Sequence, residues 1–402
     1  MSMFVPRPLA NSDLRFPDEL MAFASDTEID YVRADETSVR FPYSSALRHS
    51  LVRLESISTA SIAGPTPDLH LIIWMLMLDV IDPDRKPRFG ACPFPCSEDV
   101  FQATSVAFRY EKILERIVHL PAGQPMTEHD LLMVHSYLSH DSMQQADMRY
   151  RATQFSTKKD DGGSIGITYC PPSPQAVPVL MKDLVEYIST PRHTPTIQAA
   201  IAHFQLQAIC PFKTSMDSTE RAVAQAILHQ RRFSRHLIPT IGFPLANDYD
   251  AYVRALMPYR HQNGGGAFDL QKALEDWIRC CLDDTKKSTA VVRSYMESLR
   301  KIVDSYRARI GSYKKGSAVD VLISELPGYP IINTKAVMTL TGKGYTASSE
   351  AIAMLAERGV LSQLGNSKRN RLFEAREIID AEQQILDNFL PKKRNRANWQ
   401  NF

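Results

Sequence analysis

Between Thr194 and Arg232 the chain reads TPTIQAAIAHFQLQAICPFKTSMDSTERAVAQAILHQRR, and this stretch restricts the fold more than any other. Thr194 followed by Pro195 is a helix start, an N-cap with proline in the first helical position, and Ile197, Ile201, Phe204 and Ala208 then recur at helical spacing. A second apolar face, Val223, Ala226 and Ile227, begins shortly after Pro211. The pattern predicts two core helices joined by a tight polar loop, 210 to 218, with the loop backbone displayed at the N-terminus of the second helix. Such a terminus is an anion site, because its first amides have no intrahelical acceptor.

The rest of the chain has room for a substantial scaffold. It has 402 residues, 44% of them hydrophobic, enough for two or three domains with proper cores. Lys plus Arg (47) nearly cancels Asp plus Glu (45), so bulk attraction to nucleic acid or membrane is excluded and any such role needs a local patch. Six cysteines without a regular framework suggest a reducing compartment. Cys92 and Cys96 lie close in ACPFPCSED, but no second Cys or His pair follows at zinc spacing, so no metal is expected. Cys280 and Cys281 read as core fillers. The start, MSMFVPRPLANSDLRF, lacks a signal-peptide pattern, and the longest apolar run, LHLIIWMLMLDV from Leu69, is shorter than the roughly twenty residues a bilayer span needs. The expectation is a cytoplasmic protein with no membrane partner and a buried helix at 69–80.

Taken in order, an extended Pro-bearing arm precedes helical stretches at 18–33 and 44–64, the second closed by Gly64-Pro65. Further helices are expected at 98–121 and 127–140, with His135 a packed rather than ligating histidine. Around Lys158 to Gly163, apolar residues alternate on both sides of a charged, glycine-bearing tip, which predicts a hairpin over 150–174. Helix resumes at 175–189. After Arg232 come a loop with Pro239 and Pro244, a flexible HQNGGGAF, a helix over LQKALEDWIRCCLDD, and a connector helix near 289–312. Residues 317 to 390 read helix, helix, turn, helix, two short strands around GNSKRNR and a closing helix, the order of a winged helix-turn-helix.

AIAHFQLQAICPF running into STERAVAQAIL resembles the Fic family, whose signature has the form HPFx(D/E)GNGRxxR. The helix ending Thr59-Ala60-Ser61-Ile62-Ala63-Gly64 is similar to that family's inhibitory helix, the 150–174 hairpin to its target-docking flap, and the 317–390 module to the winged helix many bacterial members carry. The resemblance implies a mainly α fold: an N-terminal helical region (1–97), a Fic-like core (98–288) with a hairpin flap, a connector helix (289–316), a winged helix-turn-helix (317–390) and a basic tail (391–402). In active relatives the signature transfers AMP or another phosphate-containing group from a nucleotide to a hydroxyl. The histidine is the general base, the acid holds a metal, the Gly-Asn-Gly turn wraps the phosphates and the arginines hold the outer one.

Carried onto this chain, that machinery is degenerate. Cys210 stands for the histidine, Thr214 for the metal-holding acid, Ser215, Met216 and Asp217 for the glycine turn, and Ser218 for the first arginine; only Pro211, Phe212 and Arg221 match. Loss of both glycines restricts positive φ. Asp217-Ser218-Thr219-Glu220 reads as a capping box, in which the protein's own carboxylate would satisfy the amides meant for phosphate and would repel a nucleotide by about 1 kcal/mol or more. The inhibitory glutamate position is Ala63, which leaves Arg221 to pair with Asp217 or Glu220. Cys210 as a nucleophile would need a base beside it, and His203 lies two turns back on the preceding helix while His229 is far along the next.

In the winged module the helix near Thr346 would be the recognition helix, with Ala351, Ile352, Leu355 and Ala356 inward and Ser348, Ser349, Glu350 and Ala353 outward. The wing, Ser367-Lys368-Arg369-Asn370-Arg371, and the tail, Lys392-Lys393-Arg394-Asn395-Arg396, concentrate charge suited to phosphates. The DNA-contacting set is thus Ser348, Ser349, Lys368, Arg369 and Arg371. Winged helices also serve as protein-docking or dimer modules. The expectation is a binding or regulatory protein without cofactor, acting on DNA or a protein partner. The alternative is a divergent nucleotidyltransferase using ATP and magnesium.

Overall fold

The computed structural model describes residues 5–120, 123–139, 148–159, 167–234, 236–238, 242, 252, 255–256, 269–365 and 370–390. Its helices are α1 (Asp18–Val39), α2 (Ser44–Ala63), α3 (Leu69–Ile81), α4 (Glu98–His119), α5 (Glu128–Ser139), α6 (Val177–Ser189), α7 (Pro195–Ile209), α8 (Met216–Gln230), α9 (Leu270–Ile310), α10 (Ala318–Glu325), α11 (Thr334–Thr341), α12 (Tyr345–Glu357) and α13 (Arg376–Phe389). Two small antiparallel sheets complete it. One is the hairpin β1 (Thr157–Lys159) with β2 (Ile167–Tyr169); the other, in the order β3-β5-β4, joins Ile331–Ile332, Leu372–Glu374 and Ser362–Leu364.

Each major helix follows from its sequence. In α1, Leu20, Ala24, Thr27, Tyr31, Ala34 and Ser38 are buried at helical spacing, and this stripe packs along α9. The apolar run from Leu69 is α3, started by the Asp68 carboxylate, which accepts from the Leu71 amide at 2.8 Å. Being apolar on every side, α3 is enclosed by α4, α11 and β3. No helix among the described residues is long and apolar enough to cross a membrane. In α2 the hydroxyls of Ser50, Ser56, Ser58 and Ser61 bond back to carbonyls one turn earlier, which lets a serine-rich helix lie buried. The N-terminal arm is docked by the Leu9 and Ala10 amides, which donate to Asp183 of α6.

Helices α7 and α8 form the antiparallel centre. Residues 196–209 of α7 are buried throughout, enclosed by α6, α8 and α9, and α8 is flanked by α2, α4 and α5. Trp277 of α9 donates to the Ala200 carbonyl at 2.7 Å and fixes α9 across α7.

Two departures from the sequence expectation concern the C-terminal half. The helix over LQKALEDWIRCCLDD and the connector near 289–312 are one unbroken α9, because Ser288 and Thr289 are buried and Thr289 bonds back to the Thr285 carbonyl at 2.8 Å. The module beyond it contains the expected helices and strand pair plus β3, two residues long and too short to show alternation. The expected hairpin is present as β1 and β2; most of its tip and the 391–402 tail fall outside the described residues.

Candidate functional site

The α7–α8 loop is built by its neighbours. α7 ends at Cys210, whose amide donates to Leu206 at 2.8 Å and whose backbone is left-handed (φ 48°). Arg151, just before the flap, grips the turn from below: its amide donates to the Pro211 carbonyl at 2.9 Å and its Nε to the Cys210 carbonyl at 2.8 Å. The Tyr169 hydroxyl, at the end of β2, donates to Ala208. Phe212 lies flat on His135 of α5, with ring centroids 3.5 Å apart and planes 7° from parallel. His135 Nδ1 is 3.0 Å from the Thr219 hydroxyl. The histidine is therefore packed, as expected, and it packs on the loop itself.

The capping box expected at Asp217 to Glu220 is not formed. α8 starts earlier, at Met216, with Ser215 as its N-cap in a left-handed conformation (φ 53°) and no side-chain cap. Thr219 donates instead to the Ser215 carbonyl at 2.7 Å. Asp217 sits within the first turn, where its charge still favours the positive helix end. Glu220 points the other way, into the core. Its carboxylate is 3.4 Å from His203 Nε2, and the Gln207 amide, turned nitrogen-inward, donates to its two oxygens at 2.7 and 3.0 Å. Burial, aided by the Arg221 charge, pushes His203 well below its usual pKa, so this contact joins a neutral imidazole to the carboxylate. The left-handed turn expected to suffer from loss of glycine survives with serine in it, held by the anchors on both sides.

Beneath the loop, Arg221 is fully buried. Its Nη2 donates to the Thr59 carbonyl of α2 at 3.2 Å, while Nε and Nη1 find no hydrogen-bond acceptor among the described residues. The partners expected for it, Asp217 and Glu220, act on it through their charge, which holds its proton more tightly. One turn along α2 lies Glu55, also fully buried, whose Oε2 accepts from the Gly242 amide at 2.8 Å. Burial pushes Glu55 up to about 8, although the Gly242 donor and the Arg221 charge pull it down.

Residues 125–228 match the family model described as the Fic/DOC family. The chain carries a Fic/DOC family domain. Among solved structures, the chain is similar to a Fic family protein from Desulfovibrio desulfuricans (14% identity, 89% of this chain and 95% of that one, TM-score 0.49). It is also similar to a Fic domain containing signaling protein from Bacteroides thetaiotaomicron (16% identity, 68% and 94%, TM-score 0.42) and to Fic-1 from C. elegans (16% identity, 71% and 73%, TM-score 0.44). No curated protein sequence matches.

Within the Fic domain the altered signature positions divide by exposure. Cys210, Pro211, Phe212, Ser218 and Arg221 are buried, Ser215, Met216 and Asp217 are half-buried, and Thr214 is exposed. Ala63 ends α2, and its side chain falls outside the described residues. Among the described residues, no group of three or more His, Cys, Asp or Glu is arranged to hold a metal ion. Sequence patterning missed Glu55, Arg151 and Tyr169, whose roles come from distant segments; the polar Glu55 inside an otherwise core-forming helix was the available signal.

The DNA-contacting set needs one correction. Ser348 is fully buried in α12, with its hydroxyl finding no partner among the described residues, so it does not face outward. The first turn of α12 tucks it against the module core, where Ala351, Ile352 and Leu355 also lie. Ser349 is half-buried; Arg371 lies over the Phe373 ring at 5.5 Å; Lys368 and Arg369 fall outside the described residues.

Proposed function

We propose that this Fic-domain chain is a catalytically degenerate member that acts by binding a partner. Arg221 carries this reading: the retained signature arginine is fully buried and bonded to the α2 backbone, so it is withdrawn from the surface where an outer phosphate would sit. The donor set also departs from a magnesium nucleotide's needs, with Cys210, Thr214 and Ser218 standing where a base, a metal-holding acid and a cation would be required. One observation favours the rival, a divergent nucleotidyltransferase: the two Arg221 donors without an acceptor among the described residues would donate to an anion if the loop lifted. Purified protein incubated with labelled ATP, CTP or UTP, magnesium and cell extract is expected to transfer no label. Transfer that disappears in Cys210→Ala or Arg221→Ala would overturn the degenerate reading.

The C-terminal module supports a protein partner better than duplex DNA. The outward side of α12 carries Thr346, Glu350, Met354 and Glu357, with Lys343 and Arg358 beyond its two ends. Major-groove readers put donors and positive charge on that face. In a duplex-DNA shift assay across salt, no steeply salt-dependent complex is expected. A complex that is lost on replacing Lys368, Arg369 and Arg371 by alanine would instead assign DNA to the wing.

A further inference from the structure

We propose that Cys92 and Cys96 form an oxidisable dithiol, which a small-molecule disulfide of the glutathione type converts into an intramolecular disulfide by thiol exchange. Their sulfurs lie 3.8 Å apart across the loop Cys-Pro-Phe-Pro-Cys, and both side chains are half-buried, so a small reagent can reach them while the pair stays in contact. Pro93 and Pro95 limit the ways this loop can spread. The pair contrasts with Cys280 and Cys281, whose side chains leave adjacent positions of α9 about 100° apart and cannot meet while the helix holds.

The two thiols are not equivalent. Cys96 Sγ donates toward Cys92 Sγ, which also accepts from the Phe94 amide at 3.4 Å. Burial together with the neighbouring Cys92 pushes the Cys96 thiol up to about 11. Cys92 is therefore the attacking sulfur and Cys96 the resolving one. The Cys92 thiolate bonds to one sulfur of the reagent and releases the first glutathione as a thiolate. Cys96 then gives its proton to solvent, bonds to Cys92 Sγ and expels the second glutathione. The protein loses two protons and two electrons, and the small disulfide takes them up to become two thiols.

The dithiol also has a structural address. Cys92, Phe94 and Cys96 pack on the apolar cluster that α3 shares with Ile331, Ile379 and Leu386 of the C-terminal module. Phe94 lies 5.9 Å from the His70 ring, whose Nε2 is 3.5 Å from Glu374 of β5. Closing the bond therefore pins a loop at the seam between the two halves of the chain.

The test uses the full chain with oxidised glutathione, followed by alkylation, trypsin and mass spectrometry of the peptide 89–109. Wild type is expected to lose two hydrogens in that peptide and to carry no glutathionyl group there, with dithiothreitol reversing the change. Cys96→Ser is expected to trap a glutathionyl group on Cys92. Both thiols remaining alkylatable, or a glutathionyl group persisting on wild-type Cys92, would overturn the proposal. A glutathionyl group trapped on Cys96 in Cys92→Ser, with none on Cys92 in Cys96→Ser, would overturn the assigned order.

Discussion

Glu55 is a carboxyl group in the interior, beside a buried arginine that does not neutralise it through a direct ion pair among the described residues. Because the folded chain holds the Glu55 proton more tightly than the unfolded chain does, this group stabilises the fold fully below the ordinary carboxylate range. The contribution fades as pH rises through about 8. Wild type is therefore expected to lose stability between about pH 5 and 9 relative to Glu55→Gln, by a few kcal/mol at ~1.4 kcal/mol per pKa unit, as read from urea midpoints. A wild-type minus Glu55→Gln difference that does not change with pH would remove Glu55 from this role. The same residue scale separates what the signature loop shows in sequence from what only the fold reveals. Substitutions at Cys210, Thr214 and Ser218 were legible because they change chemistry in place. The inward turn of Glu220 was not, because Glu220 at that spacing suits a cap as well as it suits a core contact, and only the earlier start of α8 decides between them.

At the scale of elements, α9 and α2 carry the organisation. α9 has 41 residues and so runs about 60 Å, from Trp277 against α7 to its contacts with α10 and α13. Its apolar stripe was plain in the sequence on both sides of residue 288, but the join was hidden, because Asp283, Asp284, Lys286 and Lys287 resemble a polar linker. In the fold Asp283, Lys286 and Lys287 are the exposed side of a helix whose Asp284, Thr285, Ser288 and Thr289 face inward. Thr289→Pro tests this continuity: it is expected to cost about 3 kcal/mol or more, since it removes one helical hydrogen bond and clashes with the preceding turn. A loss in urea stability under about 1 kcal/mol would mean that the chain tolerates a break there. α2 presents Glu55 and Thr59 to the Fic domain, and Ser50 and Arg53 to the C-terminal module, so one helix touches both.

At the scale of the whole molecule, one contact that ties the two ends together joins Arg53 to Glu382, both fully buried. Arg53 donates to Glu382 at 2.9 Å and to the Gly328 carbonyl at 2.8 Å, and Tyr295 of α9 adds a third donor to the carboxylate at 3.1 Å. Removing one member strands the other. Arg53→Ala is expected to destabilise by about 3–5 kcal/mol, and Arg53→Met combined with Glu382→Leu by clearly less than the two single changes together, measured by urea unfolding. No local pattern reveals a pair so far apart in the chain; each residue alone reads as a solvated charge on a helix. The family resemblance, the helices and the flap were legible because they are local. The seams between segments were not, because they depend on which faces meet.

The unbroken α9 and the Arg53 clamp have a consequence for inheritance. A premature stop after Gly311 would leave a cation stranded inside α2 and would strip Ile331, Ala336, Ile379 and Leu386 from the apolar surface of α3. Such a fragment would be a substrate for quality-control proteolysis rather than a trimmed Fic domain. The coding sequence thus cannot shed its last quarter without forfeiting the whole product, and nonsense changes that remove Glu382 should behave as null alleles.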